Sequence, residues 1–422
     1  MRSNYRLLGD YIKRVDVRNK NLQTKNLRGL SMTKEFRETT SNIVGTDLRK
    51  YKIIGKNQFA CDFMSVIRVH KLPVVLHTSD ELIIVSPAYT VFKVKNDSLL
   101  DPEYLMMWFR RDEFDRYADF RCDSAIRGGF KWDELCEVEL PIPSIEVQKE
   151  IVNEYQTITK RIQLNEQLNQ KLEETAQALY KHWFVDFEFP NEKGEPYKSS
   201  GGAMVYNEEL DREIPEGWEV INLSEITRIK GGKRMPSGES LISEPTGHPY
   251  IKVADLGIEK FALLNEKYEY VPLVAQSKIA RYIVSKGDLI LSIVGTIGIA
   301  KIIGDSLDKA NLSENCVKIT VKQRVDSSFI YHYLKSKEGQ EEIAMRNVGA
   351  VQAKLPIYNI ETFPILCPTD DVFKSFKAIM LSLDDRIIIT QKENVQLIKI
   401  RGLLLSKMVT VGSQENEPIL KN

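Results

Sequence analysis

Two stretches of the chain carry a heptad pattern of apolar residues that predicts long α-helices. Between residues 144 and 186, apolar side chains recur in alternating steps of four and three from Ile151 to Trp183, which is the spacing of a coiled-coil seam. Residues 369–411 show the same pattern, and no proline interrupts either stretch. Because a lone helix with such a stripe would expose apolar surface to water, we expect the two helices to pack against each other.

The predicted seam between these helices has polar residues at its centre. Antiparallel packing would place Asn165 opposite Asn394 and Asn169 opposite Thr390, and such a polar layer penalises register slips. The predicted seam residues of the first helix are Ile151, Ile158, Ile162, Asn165, Asn169, Leu172 and Leu179. Those of the second helix are Leu383, Ile387, Thr390, Asn394, Leu397 and Leu404. The alternative is that each helix packs only on its own globular domain.

The helices belong to an internal repeat with an offset of 225 residues, which aligns Pro143 with Pro368. The two copies also begin alike, with Leu-Gly-Asp at Leu8 and Leu-Ser-Glu at Leu223. The segment before each helix contains short apolar runs bounded by turn residues, which are typical of strands. The sequence therefore predicts an α+β fold. Two pseudo-repeated α/β domains are separated by two long helices that pack as an antiparallel coiled coil.

This pattern gives a division of the chain into six segments. The predicted segments are a domain at 1–143, a helix at 144–186, a linker at 187–217, a domain at 218–368, a helix at 369–411 and a flexible tail at 412–422. The linker assignment depends on the abundance of Gly, Pro, Ser and acidic residues there.

Composition indicates a globular protein of a reducing compartment. Of the 422 residues, 42% are apolar and 28% are charged, and the five cysteines are far apart with no CxxC pair. These features favour the cytoplasm over a disulfide framework, and the lack of a long apolar run predicts no membrane span. Net charge is zero, but residues 1–56 hold 14 basic and 5 acidic side chains. Such a bias is typical either of a solvated surface or of one that faces phosphate.

Searches for catalytic patterns give negative results. The chain has no GxxxxGK[ST] phosphate loop, no [NDS]PP[YF] methyltransferase loop and no HExxH or other metal-spaced histidine pair. We therefore predict no catalytic residue and no metal site, and a binding protein is favoured over an enzyme.

Two loops at equivalent places in the repeat are the strongest candidates for binding nucleic acid. One contains Arg127 and Lys131, and the other contains Gln352 and Lys354. Arginine can bind guanine and glutamine can bind adenine through two hydrogen bonds in the major groove, while the lysines could contact phosphates. Weaker candidates are Lys233, Arg234, Lys252, Ser292, Thr296 and Lys301. The alternative for all of them is an ordinary solvated side chain or a tight turn, as at residues 295–298.

The order of domain, helix, domain and helix resembles the specificity subunit of type I restriction-modification systems. The segments that carry the resemblance are CEVELPIPSIEVQKEIVNEY (136–155), LYKHWFVDFEFP (179–190), IPEGWEV (214–220), GDLILSIVGTIG (287–298) and GAVQAKL (349–355). The resemblance implies that 1–143 and 218–368 are target-recognition domains. Each would read one half of an asymmetric, bipartite site in double-stranded DNA.

The resemblance also implies partners and cofactors. The helices would separate the half-sites and dock two methyltransferase subunits, and restriction subunits would join through the complex. S-adenosylmethionine, ATP and Mg²⁺ would be bound by those partners, and this chain would bind no cofactor and catalyse nothing. Two alternatives remain open at this point: a helical scaffold that binds only proteins, and a solitary DNA-modifying enzyme with a degenerate motif.

Overall fold

The computed structural model describes residues 5–39, 45–122, 130–322, 325–349 and 353–410. The chain divides into two compact units. The first comprises the residues up to 161 together with those from 397 onwards, and the second comprises residues 162–396. Each long helix contributes to both units. The predicted tail at 412–422 lies outside the described residues, as does the second helix's predicted last residue, 411.

The first unit contains a small sheet and short helices that precede the first long helix. Its strands are β1 (Tyr5–Leu7), β2 (Ile12–Val15), β3 (Arg28–Leu30), β4 (Phe36–Glu38), β5 (Lys52–Ile54), β6 (Gln58–Cys61), β7 (Val74–His77), β8 (Ile83–Val85), β9 (Thr90–Val94) and β10 (Glu139–Pro141). Its helices are α1 (Val66–Val69), α2 (Pro102–Phe109), α3 (Asp112–Phe120), α4 (Trp132–Cys136) and the first part of α5 (Ile145–Phe184).

The core of the first unit lies between an antiparallel sheet and the helices that follow it. The sheet has the strand order β2-β9-β6-β7. Phe59 and Phe92 on neighbouring strands stack with ring centroids 4.8 Å apart, and Phe109 of α2 meets both rings edge-on. The same cluster includes Tyr155 of α5, and Leu405 of the second long helix packs against it. Parts of both long helices are therefore anchored in this core.

The second unit contains more strands and most of the second long helix. Its strands are β11 (Met204–Asn207), β12 (Arg212–Pro215), β13 (Glu219–Asn222), β14 (Thr227–Gly231), β15 (Pro249–Ile251), β16 (Phe261–Ala262), β17 (Glu269–Tyr270), β18 (Leu289–Ser292), β19 (Ala300–Ile303), β20 (Asn311–Leu312), β21 (Cys316–Val321) and β22 (Pro364–Cys367). Its helices are α6 (Leu223–Ile226), α7 (Leu273–Ile279), α8 (Ser327–Lys335), α9 (Lys337–Met345), α10 (Ile357–Glu361) and α11 (Asp370–Lys407), which ends in the first unit.

A mixed sheet with the order β14-β21-β18-β19-β16 forms the centre of this unit, beside a smaller sheet with the order β17-β15-β20. Side chains alternate between its two faces. One face places Ile229, Leu289 and Ile319 in the largest core cluster, which extends to α8 and to both long helices. The opposite face of β18 and β21 contributes Ile290 and Cys316 to a second cluster beneath the smaller sheet.

The repeat recognised in the sequence is also seen in the order of the described elements of both copies. In each copy a first strand pairs antiparallel with the strand that precedes the long helix, as β1 with β10 and β13 with β22. A single helical turn, a sheet, two consecutive helices and one short helix follow the first strand in the same order. The long helices begin at Ile145 and Asp370, which preserves the offset of 225 residues.

The segment at 187–217, predicted as a linker from its composition, is folded onto the second unit. It contains the β11–β12 hairpin, and Phe187, Phe189 and Ile214 are buried. The Phe189 ring stacks between Tyr197, at 4.5 Å, and Trp218, at 5.0 Å. The segment folds in this way although its composition is hydrophilic, because burial of a few aromatic side chains stabilises the folded conformation.

The two long helices pack antiparallel, with contacts that run in opposite directions along the two sequences. The Asn165 amide donates to Asn394 Oδ1 at 2.8 Å, and the Asn394 amide donates to the Ile162 carbonyl at 3.3 Å. One turn further along, the Thr390 hydroxyl donates to Asn169 Oδ1. These are the polar pairs expected from antiparallel packing, and every predicted seam residue is buried or half-buried. Satisfied polar groups in an apolar seam favour one register over its neighbours.

A buried charged network joins the second domain to both long helices. Lys260 is fully buried, and its ammonium donates to Asp384 of α11 at 2.5 Å, to Ser328 at 2.8 Å and to His332 Nε2 at 3.0 Å. His332 therefore carries its proton on Nδ1, which donates to Gln177 of α5 at 2.8 Å. Burial lowers the pKa of Lys260 and holds the pKa of His332 well below its ordinary value. The network uses all three ammonium hydrogens of the lysine.

Candidate nucleic-acid interface

Lys354 lies at the point where the polypeptide closes a loop in the second domain. Its backbone exchanges two hydrogen bonds with Val348, of 2.8 and 2.9 Å, and it also bridges to Val294. The side chain of Lys354 is exposed. Gln352, the predicted base-reading residue, lies outside the described residues. The structure thus brings Lys354 next to the turn that contains Thr296, whose side chain is also exposed.

In the first domain the lysine candidate of the corresponding loop is Lys131, which directly precedes α4. Lys131 is exposed, and its backbone N–H donates to the Glu134 carboxylate at the start of the helix. The preceding Phe130 is buried against Phe63 and Tyr117. Arg127 lies outside the described residues. The proposed base contacts of both loops therefore stay predictions.

Ser292 does not face solvent, which corrects its assignment as a DNA contact. Its side chain is completely buried, and the hydroxyl donates to the Thr296 carbonyl at 2.6 Å and accepts from the Ile299 N–H at 2.9 Å. Gly295 and Gly298, both with positive φ, allow the sharp reversal between β18 and β19. Ser292 stabilises this turn, which is the alternative that the sequence left open.

Lys301 is also corrected, because it is buried within the sheet. Its ammonium donates to the Glu259 carbonyl, and burial lowers its pKa to about 8. The partly compensating attraction of Glu173 and Glu259 does not restore the ordinary value. Lys301 alternates with apolar residues along β19, and this pattern predicts an exposed side chain. The chain before β16, at Glu259, covers it instead.

We expect Lys301 to give the stability of the protein a defined pH dependence. Between pH 8 and 10.5 the unfolded chain keeps a proton on this lysine that the folded chain has released, so the free energy of unfolding rises with pH. The slope from this group is at most about 1.4 kcal/mol per pH unit. Urea unfolding at several pH values should show that the pH dependence of Lys301→Met differs from that of the parent protein by the contribution of this lysine.

The matched control for that prediction is Lys267→Met, because Lys267 is exposed. It should keep the pH dependence of the parent protein. Identical pH profiles for Lys301→Met and the parent protein would contradict the buried position of Lys301.

The remaining candidates in the second domain are accessible, but two of them have acidic partners. Arg234 is exposed and donates to Glu314 at 2.6 Å, and Lys252 is half-buried and pairs with Glu269. A phosphate would have to displace these carboxylates. Lys233 is exposed, its ammonium lies 5.9 Å from the Tyr282 ring centroid, and its backbone accepts from the Tyr250 hydroxyl. It has no acidic partner within the described residues.

A basic surface on the central sheet was missed by the sequence analysis. Arg228 and Lys230 of β14 lie directly opposite Thr320 and Lys318 of β21, and all four point to the same face. They line a depression of about 560 Å³ together with Lys286. We call these lining residues the basic groove. The signal was present in the sequence, since in both strands polar residues alternate with buried apolar ones.

No group of three metal-ligating side chains occurs in the part of the chain that the structure describes. None of the helices in the described ranges is long and apolar enough to cross a membrane.

The features above define a class of protein: a duplicated α+β chain whose two copies each end in a long helix, with the helices paired antiparallel. The model of the type I restriction modification DNA specificity domain matches residues 215–399, which include the second copy from β13 and most of its helix. This match and the relatives below confirm the resemblance of the chain to type I specificity subunits.

Curated relatives and a solved structure agree with this assignment. The type I restriction enzyme MjaIX specificity subunit of Methanocaldococcus jannaschii is 29% identical over 317 residues, which cover 73% of this chain and 68% of that protein. The HindI specificity subunit of Haemophilus influenzae is 24% identical over 380 residues, or 77% and 80% of the two chains. The crystal structure of a type I S subunit from M. genitalium aligns with a TM-score of 0.53 at 15% identity. It covers 96% of this chain and 95% of that one, and it shows the shared fold.

Proposed function

We propose that this chain is the sequence-specific DNA-recognition subunit of a type I restriction-modification complex. Each domain would read one half of a bipartite site, and the paired helices would dock methyltransferase subunits. The observation that carries the proposal is the match of the specificity domain to the second copy of a structural repeat whose first copy has the same element order.

The two copies share a scaffold but differ in surface, which argues for an asymmetric target. Equivalent positions of the 225-residue repeat carry Arg127 in one copy and Gln352 in the other. These side chains favour different bases in the major groove. Two domains with different side chains at these positions would therefore recognise two different half-sites.

We infer that the chain itself is non-catalytic and cytoplasmic. The relatives are named as specificity subunits, so methyl transfer and cleavage would belong to partner subunits. Two methyltransferase subunits would supply S-adenosylmethionine, and restriction subunits would supply the sites for ATP and Mg²⁺. The two alternatives, a protein-only scaffold and a solitary modifying enzyme, are not favoured by these relatives.

Co-expression with a type I methyltransferase subunit, followed by genome-wide mapping of methylated adenines, tests the proposal. We expect one asymmetric sequence with two defined parts separated by an undefined gap. Methylation by the purified chain alone would support the solitary enzyme. A complex that forms but retains no DNA would support the scaffold.

We expect Gln352→Ala to relax base choice in one half-site only. Loss of a bidentate base contact costs about 1–3 kcal/mol of discrimination against the wrong base. The methylated sites of the variant complex should become degenerate at one position of that half-site. Lys354→Gln is the neighbouring control, because loss of a phosphate contact weakens all sequences alike. Equal weakening on every sequence by Gln352→Ala would assign this residue to the DNA backbone.

A further inference from the structure

The basic groove concentrates positive charge that the protein itself neutralises only in part. It is lined by five basic side chains and one acidic side chain, Asp288. The Asp288 carboxylate pairs with Lys318 at 3.7 Å and also accepts from Thr320 at 2.7 Å and from the Ser285 N–H at 2.8 Å, so it compensates one of the five positive charges. Lys230 lies directly opposite Lys318 in the β-ladder, and like charges at such positions destabilise a sheet.

The five basic groups fall into two sets with different roles. Lys318 donates to the Ile283 carbonyl at 2.8 Å, and Lys322 donates to the Ser224 carbonyl at 2.7 Å. These two ammonium groups are held by the protein. Arg228, Lys230 and Lys286 are exposed, and their side chains have no hydrogen-bond or ion-pair partner within the described residues.

We propose that Arg228, Lys230 and Lys286 bind the phosphate backbone of double-stranded DNA. This assignment rests on the proposed function, and it identifies the surface of the second domain that binds the DNA backbone. Arg228 and Lys230 are two residues apart on one strand, so their side chains project from the same face and their Cα atoms are about 7 Å apart. Such a row can contact successive phosphates, and Lys286 extends it beyond the start of β18.

A polyanion fits this surface better than a base edge or an acidic peptide does. The free groups are cationic donors, which position a duplex without reading its sequence. The apolar residues of β14 point to the opposite face, into the core, so the groove offers little apolar surface for the anchors on which peptide recognition depends. The contact is therefore electrostatic and should release counterions on binding.

The test compares the parent complex with a complex containing R228Q/K230Q/K286Q. The methyltransferase complex is titrated with a duplex that carries the mapped target and with a scrambled duplex of equal length, across a series of salt concentrations. Each lost phosphate contact lowers the slope of log K against log salt by about 0.9, so we expect a decrease of about 2–3. Both duplexes should weaken by the same factor.

The matched control is K193Q/K267Q/K337Q, which removes the same charge from exposed lysines outside the groove. It should bind like the parent complex, and both triple variants should keep the parental melting temperature. A groove variant with the parental salt slope would overturn the proposal and leave the proposed function intact.

Three further outcomes would also count against it. Loss of the methyltransferase subunit from the groove variant would assign the surface to an acidic protein partner. Weakening on the target duplex alone would assign the three side chains to base reading. Failure of the parent complex to retain either duplex would remove the proposed function together with this inference.

Discussion

Replacing Asp384 with alanine is expected to lower the free energy of unfolding by about 3–5 kcal/mol, because it leaves a buried ammonium without its counter-ion. Lys260 is fully buried, and its other partners, Ser328 and His332, are neutral. Burial of His332 keeps its imidazole uncharged. Urea unfolding followed by tryptophan fluorescence measures the loss, since Trp183 and Trp218 lie in the same unit.

Asp385 provides the matched control, because the next residue of the same helix is exposed. Asp385→Ala should change the free energy of unfolding by no more than about 0.5 kcal/mol. The double variant K260M/D384L should recover much of the stability, since replacing a buried ion pair by apolar residues is often neutral. Equal stability of Asp384→Ala and Asp385→Ala would contradict a buried pair.

Phe376→Ala is expected to have a comparable effect, a loss of about 3–5 kcal/mol, by opening a cavity in the largest core. Phe376 is fully buried, and its ring centroid lies 4.7 Å from that of Phe184 and 5.7 Å from that of Trp183. It also meets Phe329 of α8 at 6.4 Å. The ring thus holds both long helices and the second domain together, and the same urea experiment measures its contribution.

Ile379, one turn further along α11, serves as the control because it is 41% exposed. Ile379→Ala should cost much less than Phe376→Ala because it removes side-chain atoms from solvent rather than from the core. A small effect of Phe376→Ala would mean that the aromatic cluster can close around the cavity. Tryptophan emission is sensitive to that rearrangement because Trp183 packs against Phe376.

The long helices and their pairing could be predicted because their signal is local and repeated. A heptad stripe recurs over many turns, and a pattern of that length rarely arises by chance. The limits of each helix therefore follow from the sequence within a few residues. The polar pair of Asn165 with Asn394 follows from the same register. The two α/β domains gave only scattered strand signals, because short strands take their stability from partners distant in the sequence.

The candidate contacts were predicted less well, because exposure of a lysine depends on what covers it. Lys301 and Lys318 both sit on strands and alternate with apolar residues. The chain before β16 covers Lys301, whereas Lys318 lines an open groove. No pattern within either strand distinguishes these two situations.

The sequence by itself determined the duplication, the two long helices and their antiparallel register, since each follows from periodicity or from a constant offset. The tertiary structure alone decided which basic side chains face solvent, that residues 187–217 fold onto the second unit, and that two dissimilar domains share one order of elements. The physical reason is the range of the interactions involved. Periodic burial is encoded by neighbours along the chain, whereas the cover over a side chain is supplied by strands and helices far away in sequence.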